Sequence, residues 1–233
     1  MGVDSLARFY DCGIMLGHAI GTVREPGIGS LTSAARLGQD AVMRLAPIDR
    51  PPTLLARLVF LVLKRVLGKV PTPYRVVFTR MPQALFAHMM MVGVLDRRVR
   101  LDPDLKVLLE SHVATMNHCT FCLDLVQAMA LKRNPALRAK LGGLDAYRTD
   151  SAFSARERAA LAYVESIGRD HHVDEATFTE LRRNFDEHEI VEITWVNALE
   201  QYFNAINVGL GIGSDGFCAL PGPEPVELAR ARA

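Results

Sequence analysis

The stretch His118-Cys119-Thr120-Phe121-Cys122 lies between two predicted helices and contains the one closely spaced pair among the four cysteines of the chain. Two cysteines separated by two residues can form a disulfide across one helical turn. If a helix begins at this point, its free backbone N–H groups and the positive end of its dipole favour a thiolate over a thiol. The sequence therefore predicts a redox-active pair, Cys119 and Cys122.

Two other interpretations of the pair stay open at this level: half of a structural zinc site, or two inert thiols in the core. A zinc site usually takes its other ligands from a second Cys or His pair at similar spacing, and no such pair follows in the sequence. The glycine-rich segment 209–216 follows a predicted helix, which is the wrong context for a dinucleotide or phosphate loop. We therefore expect neither a metal ion nor a cofactor.

The composition narrows the class of protein. With 233 residues, of which 49% are hydrophobic, the chain has enough apolar content for one large buried core. A net charge of +1 and the lack of long like-charge runs argue against nucleic-acid binding. Scattered cysteines and no signal-peptide pattern predict a protein of the cytoplasm. The Arg- and Ala-rich usage is typical of GC-rich bacterial genomes.

Helical periodicity and capping residues predict an all-α protein, because no window shows the alternation of a strand. Residues 1–50, with predicted helices at 4–20 and 30–45, form an N-terminal helical extension. Residues 51–218 form the main domain, and the proline-containing residues 219–233 a disordered tail. Further helices are predicted at 54–67, 103–117, 119–132, 154–167, 174–184 and 186–208, with Asp102, Ser154 and Asp174 among their N-caps.

Residues 54–67 and 81–95 are the most apolar segments of the chain. Basic side chains interrupt the first segment well short of the roughly 20 apolar residues that a membrane span needs. These side chains are Arg57, Lys64, Arg65 and Lys69. They fall on one side of a helix and leave an apolar remainder, which favours burial in the core or between subunits over binding to a membrane surface. We therefore expect no membrane span, and a homo-oligomer that is a dimer or larger.

From about residue 81 to residue 218 the chain resembles the alkylhydroperoxidase D-like, carboxymuconolactone decarboxylase family. The matching pieces are 101–103 with Asn117-His118-Cys119-Thr120-Phe121-Cys122-Leu123-Asp124, then 154–162, 185–194 and 202–207. The resemblance implies an alkylhydroperoxidase D-like helical bundle and a homo-oligomer. In redox-active members it also implies a Cys pair that reduces peroxides or exchanges with dithiol partners, so Cys119 and Cys122 carry over as that pair.

The chain departs from the family at two positions of its proton relay. Redox-active members have a His four residues after the second Cys, where Val126 stands here, and a Glu twelve residues before the first Cys, where Val107 stands. If the helix begins one turn before Cys119, His118 shares a face with Cys122 and can take its proton. Otherwise His118 caps the preceding helix or faces solvent. Other acids and bases nearby in sequence are Glu110, His112 and Asp124.

We therefore predict a thiol-dependent oxidoreductase, either a peroxidase or a disulfide reductase. Cys119 and Cys122 cycle between dithiol and disulfide, with His118 as a candidate base. The expected partners are a peroxide substrate and a dithiol reductant. The alternatives are a non-catalytic helical oligomer, a small-molecule-binding protein of the same fold, and a lyase resembling carboxymuconolactone decarboxylase.

Overall fold

The structure, a computed structural model, describes residues 43–218, and all regular secondary structure in that range is helical. The all-α prediction is therefore confirmed for this part of the chain. The predicted helix 4–20, most of the predicted helix 30–45 and the tail 219–233 lie outside the described residues. Residues 43–45 are not helical, contrary to the prediction, because the backbone N–H of Arg44 donates to the Leu210 carbonyl at 3.0 Å instead of to its own segment.

The described helices agree with the predicted ones to within three residues at each end. Two short helices, α2 and α5, were not predicted. The α-helices of residues 43–218 are α1 (Leu54–Leu67), α2 (Pro82–Met90), α3 (Pro103–Met116), α4 (Thr120–Arg133), α5 (Leu137–Gly142), α6 (Ala155–Asp170), α7 (Glu175–Asn184) and α8 (Glu187–Gly209). Shorter π and 3₁₀ turns are Tyr74–Phe78, Met91–Leu95, Asp96–Arg98 and Leu144–Ala146.

Side-chain caps fix where the long helices begin. The Asp102 carboxylate accepts backbone N–H groups of the first turn of α3 at 3.0 Å, and Ser154 forms a capping box with Glu157 at the start of α6. Asp186 and Glu189 form a second capping box at the start of α8. Because each such cap stabilises its helix by about 1 kcal/mol, residues close in sequence determine where these helices begin.

Helix α3 is the centre of the bundle and packs against α4, α6 and α8. Its buried apolar side chains point in several directions around the helix, with Leu105, Leu108, Leu109 and Val113 on one side and Val107 and Ala114 on the other. A helix that is apolar on several sides must be surrounded by other elements. The side chains that α3 presents to its neighbours therefore line the interior of the protein.

The turn between α3 and α4 has a Schellman geometry. The N–H of His118 donates to the Thr115 carbonyl at 3.1 Å, and the N–H of Cys119 donates to the Ala114 carbonyl at 2.9 Å. His118 takes the left-handed conformation, with φ of 55°, at the position that glycine usually occupies in this motif. The sharp reversal places Cys119 at the N-cap of α4.

Helix α1 has an exposed apolar face, formed by Leu54, Leu55, Leu58, Leu61, Val62 and Val66. Leu61, for example, is 66% exposed, although Ala56 and Phe60 on the opposite side are buried. None of the helices in the described part of the chain combines the length and the apolar content that crossing a membrane requires.

Candidate functional site

A cavity of about 550 Å³ is lined mainly by α3, α4, α8 and the segments before and after α2, with His88 contributed by α2 itself. This volume suits a small organic molecule, and most of the side chains around it are apolar. The residues of its wall that bear on function are Tyr74, His88, Val107, Glu110, Cys122, Val126, Glu200 and Asn207.

Cys119 and Cys122 are joined by a disulfide, with their Cα atoms 5.4 Å apart. Cys119 caps α4, and its Sγ accepts the backbone N–H of Cys122 at 3.4 Å, so the helix N-terminus acts on the Cys119 sulfur. Both residues are buried, but Cys122 lies in the wall of the cavity and Cys119 lies behind it. A molecule in the cavity therefore meets the Cys122 side of the pair.

A polar stripe on α8 leads away from the Cys pair, and its two end residues, Asn207 and Glu200, lie in the cavity wall. It consists of Glu200, Asn204 and Asn207, which are all buried and share one face of the helix at spacings of four and three residues. Asn207 Nδ2 donates to Cys122 Sγ at 3.3 Å, and Asn204 Nδ2 donates to Glu200 Oε1 at 2.5 Å. Sequence reasoning missed this stripe, although three polar residues on the otherwise apolar side of a helix were a usable signal.

Two carboxyl groups, those of Glu110 and Glu200, lie in the cavity wall. Burial raises the pKa of Glu110 to about 7 and the pKa of Glu200 to about 8, and for Glu200 the negative charge of Glu110 adds to the rise. Lys106 opposes both shifts, with its Nζ 3.5 Å from Glu110 Oε1. The two carboxyl groups therefore change their protonation near neutral pH as a coupled pair.

A second polar pair, Tyr74 and His88, lies in another part of the wall. The Tyr74 hydroxyl and His88 Nε2 are 2.7 Å apart, and the imidazole packs against the rings of Phe78 and Phe203. Burial lowers the pKa of His88 to about 4 and raises that of Tyr74 to about 12. Both side chains are therefore neutral at physiological pH. The sequence did not identify either residue as functional. His88 lies in an apolar segment, 81–95, that the sequence predicts to be part of the core or of a subunit interface.

His118 lies outside the helix that contains Cys122. Helix α4 begins at Thr120, so the condition under which His118 would share a helix face with Cys122 is not met. The side chain of His118 is exposed beside the turn that ends α3. The structure thus brings Cys119 and Cys122 together and leaves His118 apart from them.

The other nearby acids and bases differ in their positions. His112 is buried beside Glu165, away from the cavity, whereas Glu110 lines it. The Asp124 carboxylate is occupied with the segment that follows α8, where it accepts hydrogen bonds from Ser214 Oγ and from the N–H groups of Phe217 and Cys218 at 2.8 to 2.9 Å.

The two family relay positions, Val107 and Val126, both lie in the cavity wall. Apolar side chains thus stand where redox-active members of the family have a Glu and a His. Within residues 43–218, no three or more His, Cys, Asp or Glu side chains gather in a group able to hold a metal ion.

Comparison with known proteins gives one clear sequence relative. No family model matches the chain. The chain is 31% identical over 181 residues to the uncharacterised protein YnjA of Escherichia coli (strain K12), and the alignment covers 77% of this chain and 98% of that protein. The two chains are therefore similar over nearly the whole of YnjA.

Solved structures share the fold. The debrominase Bmp8 matches with a TM-score of 0.63 at 21% identity, over 75% of this chain and 93% of that one. A variant of the same debrominase, with alanine in place of a cysteine, was solved in complex with 2,3,4-tribromopyrrole. An alkylhydroperoxidase AhpD core protein from Ralstonia eutropha matches with a TM-score of 0.55 at 19% identity, over 72% of this chain and 90% of that one. The sequence relative and the shared helical fold together show that the chain belongs to the alkylhydroperoxidase D-like, carboxymuconolactone decarboxylase family.

Proposed function

We propose that the protein is a thiol-dependent oxidoreductase in which Cys119 and Cys122 alternate between dithiol and disulfide. The observation that supports this most directly is the position of Cys122 in the cavity wall, with Cys119 bonded to it from behind. A sulfur that borders a cavity can react with a bound molecule, and a second thiol one turn away can then close the disulfide.

With a hydroperoxide as the substrate, the reaction proceeds in two steps. The Cys122 thiolate attacks the terminal oxygen, an S–O bond forms, the O–O bond breaks, and the alkoxide takes up a proton and leaves as an alcohol. The Cys119 thiol then attacks the sulfenic acid on Cys122, and the disulfide forms with release of water. Asn207, which donates to Cys122 Sγ, stabilises the thiolate that begins the sequence. A dithiol reductant restores both thiols by exchange.

A second electron acceptor is favoured by the likeness to the debrominase. The same two electrons from the dithiol convert a carbon–bromine bond of a small aromatic ring into a carbon–hydrogen bond, with release of bromide and a proton and formation of the disulfide. The apolar wall and the volume of about 550 Å³ accommodate such a ring. Bromide release from a bromopyrrole by the reduced protein tests this acceptor separately.

The main experiment adds one equivalent of cumene hydroperoxide to the reduced protein and follows the peptide that contains both cysteines by mass spectrometry. We expect this peptide to lose two hydrogens. In Cys119→Ser we expect a sulfenic acid at Cys122 that dimedone traps, and in the matched control Cys122→Ser no trapped product. If the wild-type peptide kept both hydrogens with each acceptor, the oxidoreductase would be excluded, and a small-molecule-binding protein of the same fold would take its place.

The role of His118 as a base stays a prediction, and thiol titration tests it. The rate of Cys122 alkylation is measured against pH in Cys119→Ser and in Cys119→Ser with His118→Ala. Because the His118 side chain is exposed and precedes α4, we expect the same thiol pKa in both variants. A higher thiol pKa after removal of the imidazole would instead establish His118 as the base.

The homo-oligomer also stays a proposal, supported by the exposed apolar face of α1, which a second copy of the chain would cover. We expect light scattering at micromolar concentration to give a dimer or larger, and Leu58→Glu with Leu61→Glu to lower that mass. A wild-type mass near 25.7 kDa would contradict the proposal. The cytoplasmic location remains a prediction from cysteine usage.

A further inference from the structure

The cavity has polar groups at two separated places with an apolar stretch between them. One place holds Cys122 and Asn207, and the other holds Glu110 and Glu200. Glu200 and Asn207 are seven positions apart, which corresponds to about 10 Å along α8, and the two side chains share one face of the helix. Apolar side chains line the wall between these places, among them Val107, Val126, Phe203 and Ile206.

The cations near the two glutamates already have other partners. Lys106 Nζ lies 2.7 Å from Asp96 Oδ2 but 3.5 Å from Glu110 Oε1. Arg133 lies in the wall as well, and its guanidinium pairs with Asp104 at 2.6 Å. A buried carboxyl group, that of Glu200, and a partly buried one, that of Glu110, thus face the cavity, and the nearby cations are engaged mainly by other carboxylates.

A second, independent observation comes from the other end of the cavity. The side chain of Asn207 is 3% exposed and lies in the wall, and within residues 43–218 its Oδ1 has no hydrogen-bond partner. A buried acceptor without a partner costs free energy unless a bound molecule or water supplies a donor. Both ends of the cavity therefore have acceptors that a ligand can satisfy.

We propose that the cavity binds a small, mainly apolar molecule with a cationic amine at one end and a hydrogen-bond donor at the other, the amine lying between Glu110 and Glu200 and the donor at Asn207 Oδ1 beside Cys122. A simple alkylamine probes the amine end of this site alone. An ammonium group donates charge-assisted hydrogen bonds to both carboxylates and supplies the missing positive charge. A six-carbon chain reaches about 7 Å at about 1.2 Å per bond, which together with a hydrogen bond spans the distance between the two ends. This inference rests on the proposed function only for the reaction at Cys122.

The proposal has a defined pH dependence. With pKa values of about 7 and about 8, the carboxyl groups are mostly ionised at pH 8.5 and neutral at pH 5.5. A primary alkylamine stays protonated at both pH values, because its pKa lies near the lysine value of about 10. His88, with a pKa of about 4, stays neutral, and Lys106, whose pKa is raised, stays charged. The other charged groups at this end are Asp96 and Arg133.

The experiment is calorimetric titration of the full chain with n-hexylamine, 1-hexanol and hexanoate at pH 8.5 and pH 5.5. At pH 8.5 we expect n-hexylamine to bind at least about tenfold more tightly than 1-hexanol, as one added charged hydrogen bond allows, and hexanoate to bind most weakly. At pH 5.5 we expect the preference for the amine to shrink to about twofold or less, because the carboxyl groups are neutral. Equal binding of amine and alcohol at pH 8.5 would overturn the proposal.

Variants locate the bound amine. We expect Glu110→Gln and Glu200→Gln each to lower the affinity for n-hexylamine toward the affinity for 1-hexanol. The matched control is Glu187→Gln, at an exposed position on the same helix as Glu200, which should leave the ratio of the two affinities unchanged. Bound n-hexylamine should also slow the alkylation of Cys122 by iodoacetamide in Cys119→Ser. An unaltered preference in both glutamine variants would place the amine elsewhere and overturn the proposal.

The binding measurement needs no redox turnover, which separates this inference from the proposed function. A protein that binds the amine as described but forms no disulfide with any acceptor would lose the proposed function alone. A protein with a redox-active pair and no preference for the amine would lose this inference alone.

Discussion

Two buried glutamates of this protein have opposite surroundings. Glu165 of α6 accepts a hydrogen bond from the Tyr147 hydroxyl at 2.5 Å and pairs with Arg148 at 3.1 Å and Arg169 at 2.7 Å. Glu200 of α8 is 4% exposed, against 9% for Glu165, and its side-chain hydrogen bond comes from the neutral amide of Asn204. Both carboxyl groups are largely shielded from solvent, that of Glu200 more deeply than that of Glu165, and they differ in the positive charge that they face.

The difference in charge reverses the direction of the pKa shift. Burial alone would raise the pKa of Glu165, but the Tyr147 hydrogen bond and the two arginines outweigh it and lower that pKa. For Glu200, burial and the charge of Glu110 raise the pKa to about 8. A buried carboxylate that has cationic and hydrogen-bonding partners thus stabilises the fold. A buried carboxylate without a cation is unfavourable, and a cationic ligand would offset that cost.

Replacing Glu165 should have the largest effect on stability. We expect Glu165→Gln to lower the free energy of unfolding at pH 7 by about 2 kcal/mol, because charged hydrogen bonds are lost while the exposed arginines limit the electrostatic part. Because the folded pKa of Glu165 is depressed, its contribution is present above the unfolded value of about 4.3 and is lost as the pH falls below it.

Urea unfolding at pH 7 and at pH 3 measures this difference between the wild type and Glu165→Gln. The gap should narrow as the pH falls through the depressed folded pKa of Glu165, because the carboxyl group of the folded chain then also becomes protonated. A gap of equal size at the two pH values would mean that Glu165 acts by packing and not by charge.

The same change at Glu200 should act in the opposite direction. Because its folded pKa is raised, the protonated form contributes stability at low pH, and this contribution is lost as the pH rises through about 8. The glutamine side chain of Glu200→Gln is neutral at every pH. We therefore expect the free energy of unfolding of this variant at pH 8.5 to be about 1 kcal/mol higher than that of the wild type. At pH 4 the two proteins should be equally stable. A variant that is less stable than the wild type at pH 8.5 would contradict the opposite roles of Glu165 and Glu200.

The smallest effect is expected for the arginines around Glu165. Their side chains are more than half exposed, so that solvent and salt screen their charges. We expect Arg169→Ala to cost about 0.5 kcal/mol in low salt, and less in 0.5 M salt. A loss as large as that of Glu165→Gln would assign the anchoring to the surface ion pair instead of to the buried Tyr147 hydroxyl.

The helices of the described domain were predictable because their signals are local. Asp102 and Ser154 stand directly before apolar-periodic segments and cap α3 and α6 in the structure. Helix α2 escaped prediction because its N-cap, Met81, makes no side-chain cap hydrogen bond. The pair Cys119 and Cys122 was also recognisable, since its chemistry lies within a single turn.

The cavity was not predictable in the same way, because its walls come from segments far apart in sequence. Glu110 and Glu200 are separated by ninety residues, and only packing of α8 on α3 brings both to one cavity. The exposed position of His118 depends on a Schellman turn formed by backbone hydrogen bonds, and a histidine in place of the usual glycine gave no sign of it.

The segment that Asp124 holds in place and the cavity together make the two sulfurs unequal for any electron donor. Ile212 and Phe217 of this segment are buried in one hydrophobic cluster with both cysteines, but of the two cysteines only Cys122 also borders the cavity. Exchange requires a thiolate in line with the sulfur it attacks, and the cavity gives that approach to Cys122. If the pair is redox-active as proposed, a donor thiolate attacks Cys122 and releases Cys119 as the first thiol, and the donor has to be small enough for its thiol to enter the cavity.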